Sequence, residues 1–368
     1  MVKLLTLVHM NAEKLNLVLI PPPHFKCCPQ NSINTGSIEQ HTYNLAMTLA
    51  ERGHQVVLFA TGDSTCPTGV THDFFFEETP ANYYALDAVT VLDREKQHVA
   101  SALRRWGDFG HVSNHTIKGI EVIGQSPISQ RRATTIWWPL GDKRLKPLLE
   151  RYPSHSLIAI SLHQMDALPG RPFIGLAPPG IDLREWPYVE EKGEYLLFVG
   201  KIMPEKGPDL AIQAALRTGR PLILAGRIIK ERYPDYWDTC IKPYLGQQIQ
   251  YVGEVWEQYK KRLFSQAYAF LSPGRWPEPF GIVFLEAAAC GTPTIAWNPE
   301  ASNDAILDGI TGYIIRAEPS NDDLAVDKIV QAIAGIPVIQ RAACRKHVEE
   351  NFSIRRTAVT YETIFQRE

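Results

Sequence analysis

The same order of segments occurs twice along the chain: a short apolar run, a loop containing glycine, a helical pattern and a second apolar run. Asn16 to Ile20 begins the first of these units, and Tyr195 to Val199 begins the second. Runs that are apolar throughout are typical of central parallel strands, which are buried on both faces. A glycine loop between such a strand and a helix is typical of the doubly wound α/β unit. The chain is therefore predicted to fold into two α/β domains, each built on a parallel sheet.

The composition is that of a globular protein and excludes several classes. The 368 residues are 45% hydrophobic and 21% charged, which suits two domains with full cores. A net charge of -2 gives no overall basic field that would indicate a nucleic acid partner. The six cysteines form no C-x-x-C pair, which favours reduced thiols in a cytoplasmic protein. No apolar run approaches the roughly 18 residues of a membrane span, although contact with a membrane surface stays open.

The best domain boundary is the Pro-Pro-Gly turn at 178–180 and the charged stretch that follows it. We assign residues 1–185 to a first domain, 186–350 to a second and 351–368 to a terminal helix. Residues 1–15 are ambiguous, because they read either as an added edge strand or as a loose extension.

The most specific segment spans residues 276–293. A proline-rich loop carrying Glu278 leads into an apolar helix from about Ile282, and Gly291 can end this helix in the left-handed conformation. Glu286 lies inside the helix, where a carboxylate needs a partner. Free amides at a helix start attract an anion such as a diphosphate, and carboxylates accept from sugar or ribose hydroxyls. The segment is therefore predicted to bind both ends of a nucleotide sugar, unless the two glutamates are simply solvated.

A second loop bounded by glycines carries two lysines, Lys201 and Lys206. Pro208 and Asp209 suit the first turn of the helix that follows. Two ammonium groups beside a helix start could neutralise a diphosphate and stabilise the charge that builds on it as it departs. The alternative is two solvated lysines.

The order Glu-Pro-Phe-Gly-x4-Glu, followed by Ala-x-Ala-Cys-Gly-Thr-Pro, resembles the E-x7-E signature of retaining GT-B glycosyltransferases, specifically glycosyltransferase family 4. The resemblance extends from about Asn16 to the C terminus and is clearest from Tyr195 to Ile315. It implies two Rossmann-like domains facing across a cleft, with a C-terminal helix that returns to the first domain. The implied reaction is retaining transfer of a hexose from a UDP- or GDP-sugar to an unidentified glycan, lipid or small molecule, with no metal or other cofactor.

The resemblance also implies roles for residues of the second domain. Lys201 and Lys206 would carry the diphosphate and Glu286 the ribose. Glu278 would be catalytic and would bind the sugar hydroxyls. The neighbouring donor-binding positions are Phe280, Gly281 and Ile282.

In the first domain, the resemblance points to Gly36, Ser37 and His115. Relatives carry Gly-Gly-Ile-Glu where this chain has Gly-Ser-Ile-Glu, so Gly36 and Ser37 are predicted donor contacts, with a plain helix cap as the alternative. Ser37 and Gln40 are also predicted to form a capping box. His115 is predicted to be catalytic, facing the anomeric centre or the sugar 6-hydroxyl, with a structural histidine as the alternative.

Three positions depart from the family pattern. Trp137 stands where relatives carry a histidine, and it forms with Trp138 a pair that could stack on an acceptor or belong to the core. Lys201 replaces an arginine, so a planar guanidinium that can bind two oxygens is replaced by an ammonium group that acts as a point charge. Glu300 replaces a glycine. These departures leave open a degenerate nucleotide-sugar-binding protein, and the fold alone leaves open an epimerase or a phosphorylase.

Overall fold

The structure is a computed structural model. It describes residues 13–28, 36–126, 132–191, 193–275, 278–297, 304–317 and 321–367. The possible edge strand within residues 1–12 and the departure at Glu300 lie outside the described residues.

The first domain contains a sheet of seven parallel strands in the order β3-β2-β1-β4-β5-β6-β7. The strands are β1 (Asn16–Ile20), β2 (Gln55–Phe59), β3 (Thr71–Asp73), β4 (His111–Asn114), β5 (Arg132–Thr135), β6 (Leu157–Ala159) and β7 (Phe173–Leu176). Strand β1 pairs with both β2 and β4, so the strand order reverses there. Ligands of open α/β sheets bind beyond the carboxyl ends of the strands at such a point.

The second domain contains a sheet of six parallel strands in the order β10-β9-β8-β11-β12-β13. The strands are β8 (Leu196–Val199), β9 (Leu222–Ala225), β10 (Ile249–Tyr251), β11 (Ala269–Ser272), β12 (Thr294–Trp297) and β13 (Gly312–Ile315). Here the order reverses between β8 and β11, so the carboxyl ends of β8, β9 and β11 border one crevice. Two doubly wound parallel sheets confirm the predicted fold class.

Helices cover both faces of the two sheets. Within the described residues they are α1 (Ser37–Glu51), α2 (Ala88–Trp106), α3 (Gly119–Gly124), α4 (Lys146–Arg151), α5 (Leu162–Ala167), α6 (Pro208–Thr218), α7 (Glu257–Ser265), α8 (Ile282–Ala289), α9 (Asp322–Gly335), α10 (Arg341–Asn351) and α11 (Ile354–Gln366). In the part of the chain that the structure describes, no helix is both long and apolar enough to span a bilayer.

The start of α1 differs from the prediction. Ser37 is already the first helical residue, and Gly36 is the N-cap in an extended conformation with no side-chain capping bond. The predicted capping box between Ser37 and Gln40 is therefore wrong, because a capping hydroxyl must belong to the residue before the first helical one.

Strand β1 shows why the central strands are apolar throughout. Leu17 and Leu19 belong to the core that α1 and α11 close on one face of the sheet, whereas Val18 and Ile20 belong to the core under α2 on the other face. Successive side chains of a strand point to opposite faces, so a strand covered on both faces has no position for a polar residue.

The C-terminal helix α11 packs on the first sheet, although the chain enters it from the second domain. The hydroxyl of Tyr361, which is 1% exposed, lies 2.7 Å from Thr135 Oγ1 at the end of β5. The buried carboxylate of Glu362 accepts from two nitrogens of Arg52 and pairs with His54 Nε2 at 2.8 Å. These polar contacts fix helix α11 on the first domain. The domain boundaries at residues 185 and 350 stay predictions.

We expect Glu362→Ala to lower the free energy of unfolding by about 2 to 3 kcal/mol, because it leaves Arg52 and His54 without their buried partner. Burial alone raises the pKa of Glu362, but the bonds from His54 and Arg52 outweigh it and lower the pKa below the ordinary 4.5. This stabilisation is therefore present above pH 4.5 and is lost as the pH falls through the lowered pKa.

Thermal and denaturant unfolding of Glu362→Ala between pH 7 and pH 3 measures both effects. The control is Glu349→Ala, which removes an exposed carboxylate paired with Arg345 on α10 and should change stability by at most about 0.5 kcal/mol. Equal stability of the two variants at pH 7 would contradict the role assigned to Glu362.

Candidate functional site

The loops that follow β8 and β9 lie directly against each other. Gly226 has φ +143°, and a Cβ there would lie 1.8 Å from the carbonyl oxygen of Gly200. The backbone N–H of Gly200 donates to Ala225 at 3.0 Å, and that of Ile202 donates to Arg227 at 2.8 Å. Only glycine fits this approach, and the pairing of the two strands resumes at Ile202 and Ile228, three residues beyond the ends of both strands.

The loop that carries Lys206 is locked to the loop that follows β11. Gly207 has φ +68°, and a Cβ there would lie 2.2 Å from the carbonyl oxygen of Pro273. From the β11 side, Arg275 donates to the carbonyl oxygen of Pro204 at 2.8 Å and to Asp209 Oδ2 at 2.8 Å. Two loops that are far apart in sequence therefore form one unit.

This arrangement brings two predicted site residues into contact. The ammonium group of Lys206 pairs with Glu278 Oε1, and both side chains are about one third exposed or less (30% and 26%). Burial by the protein and the charge of Lys201 lower the pKa of Lys206, while the charge of Glu205 acts in the opposite direction. A cation and a carboxylate thus lie side by side at the carboxyl edge of the second sheet.

The start of α8 matches the prediction closely. Gly281 is its N-cap with φ +83°, and a Cβ there would lie 2.4 Å from the ring of Phe284. Phe280 is 1% exposed, and its ring packs 5.5 Å from that of Phe352, so its backbone is held in place. The amide of Ile282 belongs to the first helical turn and has no acceptor within the helix. The helix ends before Gly291, which has the predicted positive φ (+79°).

Glu286 lies on α8 as predicted and is 4% exposed. Its partner is Lys260 on α7, whose Nζ lies 2.7 Å from the carboxylate. The prediction that this buried acid requires a partner is therefore correct, but the sequence analysis did not find the lysine. A ribose bound here would contact a carboxylate that is already oriented by an ammonium group.

The position of the Glu39 side chain leaves room only for glycine at position 36. A Cβ at Gly36 would lie 2.0 Å from Glu39 Oε2, because the Glu39 side chain folds back against Gly36. Glu39 is 3% exposed, and burial raises its pKa to about 8, while bonds from the amides of Glu39 and Phe25 and the charge of Lys201 oppose the shift. Ser37 is exposed. The charges of Glu39 and Lys201 influence each other, so the start of α1 lies near Lys201 of the second domain.

The structure does not bring His115 to the cleft. His115 is fully buried, its Nδ1 accepts from Trp137 Nε1 at 2.8 Å, and its Nε2 lies 3.1 Å from Ser113 Oγ. Burial, with a smaller effect of His41, lowers its pKa to about 3. With both ring nitrogens occupied and no exposed edge, His115 cannot face the anomeric centre in this conformation. The structural alternative is the one that the geometry supports.

The indole pair is divided between two environments. Trp137 is 8% exposed and fills the space beside His115 and His41, with ring centroids 5.9 and 4.9 Å away. Trp138 is half-buried and packs against two cores. Trp137 is thus a core residue in this structure, and the acceptor-side role of Trp138 stays a prediction.

Several residues near the site were not assigned from the sequence. They are Glu39, Tyr84, Arg227, Lys260 and Arg275. Aligning strands β8 and β9 in the sequence would have found one of these residues, Arg227. The two strands pair in parallel from Leu196 with Leu222 onward, and continuing this register places Arg227 beside Lys201. Among the described residues, no three His, Cys, Asp or Glu side chains are grouped so that they could hold a metal ion.

We expect Glu39→Gln to stabilise the protein at pH 8 by roughly 2 to 4 kcal/mol, because each unit of pKa shift corresponds to about 1.4 kcal/mol. The folded state holds the Glu39 proton up to about pH 8, whereas the ordinary value is 4.5. Stability of the wild type therefore falls as the pH rises from 4.5 to 8, and the variant lacks this dependence. Denaturant unfolding at pH 5 and pH 8 checks it. Parallel pH profiles of the two proteins would show that Glu39 is not held protonated.

Two comparisons with curated proteins bear on this site. Residues 183–349, which contain every second-domain site residue named above, match the family described as Glycosyl transferases group 1. The chain is 32% identical to the glycogen synthase of Mycobacterium tuberculosis (strain H37Rv) over 342 residues, which cover 75% of this chain and 78% of that enzyme. It is 28% identical to YtcC of Bacillus subtilis (strain 168) over 190 residues, 48% of this chain, and spans about half (46%) of that relative.

Among solved structures, the chain resembles the Anabaena protein HepE in complex with UDP-glucose. The TM-score is 0.65 at 17% identity, over 96% of this chain and 98% of that one. Two doubly wound domains with a locked pair of loops at the cleft edge thus define a protein of the GT-B glycosyltransferase class. The chain belongs to the group 1 glycosyltransferases.

Proposed function

We propose that this protein transfers a hexose, with retention of configuration, from a nucleoside diphosphate sugar to an acceptor that is not yet identified. The contact between Lys206 and Glu278 carries the proposal. In a nucleoside diphosphate sugar, an anionic phosphate is joined directly to a ring of hydroxyl groups. An ammonium group beside a carboxylate complements that junction, since the first binds phosphate and the second accepts from hydroxyls.

The remaining groups extend the site in both directions from this junction. Lys201 and Lys206 hold the diphosphate, the amides at Phe280 and Gly281 bind the sugar with Glu278, and Glu286 accepts from the ribose. The pairing of Glu286 with Lys260 supports the ribose site, because it orients a carboxylate inside an apolar helix. UDP or GDP is the proposed nucleotide, and the UDP-glucose bound to HepE, a protein of similar fold, supports the first.

The transfer requires no protein base in this proposal. The bond between the anomeric carbon and the phosphate oxygen breaks, and its electron pair leaves with the nucleoside diphosphate. The acceptor hydroxyl forms the new bond on the same face, and its proton passes to the leaving phosphate. Lys201 and Lys206 stabilise the charge on that phosphate, so we propose that no metal is needed. Because His115 is buried, it takes no part in this scheme.

The direct test is calorimetric titration with UDP, GDP, ADP and their sugar conjugates, with nucleotide release followed in the same samples. We expect one nucleotide to bind, and its sugar conjugate to be hydrolysed slowly when water replaces the acceptor. Binding without release, even with mixtures of acceptors, would indicate the degenerate, non-catalytic alternative. Absence of binding would refute the donor site.

For Glu278→Gln we expect nucleotide release to fall about 100-fold or more, because the sugar loses its orienting carboxylate. The affinity for the bare nucleotide should not fall, since Glu278 contacts the sugar and the loss of its charge frees Lys206 for the diphosphate. Glu349→Gln, on the exposed face of α10, is the matched control and should leave both quantities unchanged. A parallel loss of nucleotide affinity in Glu278→Gln would place that carboxylate elsewhere in the site.

A further inference from the structure

The first observation is a pair of like charges in neighbouring strand extensions. The parallel register of β8 and β9 reaches Val199 with Ala225 and resumes at a bridge between Ile202 and Ile228. Lys201 and Arg227 lie between these two pairs in the same register, so they are adjacent and project to the same side. Like charges directly opposite each other destabilise a sheet. The stability of the fold therefore does not explain why these two cations lie side by side.

The second observation is that one tyrosine of the first domain contacts both cations. Lys201 Nζ lies 5.1 Å from the centroid of the Tyr84 ring, and Arg227 Cζ lies 4.7 Å from it. Cations at these distances are attracted by the ring quadrupole. Tyr84 thus compensates part of the repulsion and brings the first domain against the mouth of the donor site.

The third observation is that the guanidinium of Arg227 is held from one side only. Its Nη2 donates to Asn82 Oδ1 at 3.2 Å and to Glu231 Oε1 at 2.9 Å, and Asn82 Nδ2 donates to the same Glu231 oxygen at 2.9 Å. Among the described residues, no hydrogen bond is recorded for its Nε or Nη1. Asn82 of the first domain and Glu231 of the second domain therefore orient the guanidinium through one nitrogen, while the other two nitrogens have no hydrogen-bond partner among the described residues.

The fourth observation concerns the surroundings of Lys201. No ion pair of Lys201 is found within the described residues, although it keeps an exposed surface in the cleft. Protein crowding lowers its pKa, and the charges of Arg232 and Arg227 lower it further while Glu39 opposes them. An exposed cation that has no carboxylate partner among the described residues, and that lies beside a guanidinium, is the arrangement expected at a site for an anion.

We propose that Arg227 is a second phosphate-binding residue of the donor site, supplying the guanidinium fork that Lys201 lacks, and that Asn82 of the first domain positions it. The ligand is the diphosphate of the nucleotide sugar, so this inference rests on the proposed function. A planar guanidinium binds two phosphate oxygens at once, whereas an ammonium is a point charge. The arrangement also makes donor affinity depend on a contact between the two domains.

The test is calorimetric titration of Arg227→Gln and Arg227→Lys with inorganic pyrophosphate, UDP, GDP and ADP, and with the matching nucleosides. We expect Arg227→Gln to weaken binding of the diphosphates about tenfold or more and to leave the nucleoside unchanged, because only phosphate contacts are lost. Arg227→Lys should recover part of the affinity. Asn82→Ala should give a smaller loss of about two- to fivefold.

Moving the guanidinium from position 227 to position 201 gives the most specific test. In the Arg227→Gln background, Lys201→Arg restores a guanidinium at the neighbouring strand position and should recover diphosphate binding at least threefold. Arg217→Gln is the matched control, since its exposed guanidinium at the far end of α6 pairs with Asp323 and Asp327. It should bind like the wild type, and thermal unfolding should show all variants folded.

The outcomes separate the two proposals. If the wild type binds a diphosphate and Lys206→Gln loses it while Arg227→Gln does not, the role of Arg227 is refuted and the proposed function stands. If Arg227→Gln loses nucleoside affinity equally, Arg227 acts structurally and the inference is also refuted. If the wild type binds no diphosphate, both proposals fail.

Discussion

The candidate site depends on Arg275, which holds its two halves together. Its guanidinium reaches the carbonyl of Pro204 on one side and the carboxylates of Asp209 and Asp322 on the other, at 2.7 to 2.8 Å. Pro204 is two residues before Lys206, and Arg275 is three residues before Glu278. The arginine therefore fixes the backbone of both loops at once. Without such an anchor, a cation and a carboxylate on separate exposed loops would lose conformational entropy each time they met.

Around this anchor the second domain places positive charge at the cleft, while burial keeps the pKa of Glu39 in the first domain high. Glu39 lies against Gly36 with a pKa of about 8, so it is mostly uncharged at neutral pH and cancels little of the charge of Lys201. An ionised carboxylate there would compete with a diphosphate for the ammonium group. In the proposed site, the first domain thus favours anion binding because Glu39 adds little negative charge there, and Tyr84 and Asn82 contact the cations.

The sequence predicted those features that depend on local rules. Buried strands such as β1 and β8 are apolar throughout, and Gly281 and Gly291 mark the ends of α8, so the donor loops were found by position. It missed β3, a polar edge strand, and α3 to α5, which have six residues each and too few turns to show periodicity. Partners such as Lys260 and Glu286 are apart in sequence and meet only in the fold, so no local sequence pattern reveals that they pair. The burial of His115 was not predicted, because a strand end does not reveal what covers it.

The burial of His115 bears on the chemistry. Where relatives carry a second histidine, Trp137 donates to His115 Nδ1 and seals it from the cleft. Tyr361 of the returning helix lies behind the imidazole, with ring centroids 6.4 Å apart. Both ring nitrogens of this histidine are engaged in hydrogen bonds, and burial lowers its pKa to about 3, which disfavours a cationic form at neutral pH. In the proposed reaction the leaving phosphate acts as the base, which places the catalytic demand on the cations that hold it. In that proposal Lys201, Lys206 and Arg227 are those cations.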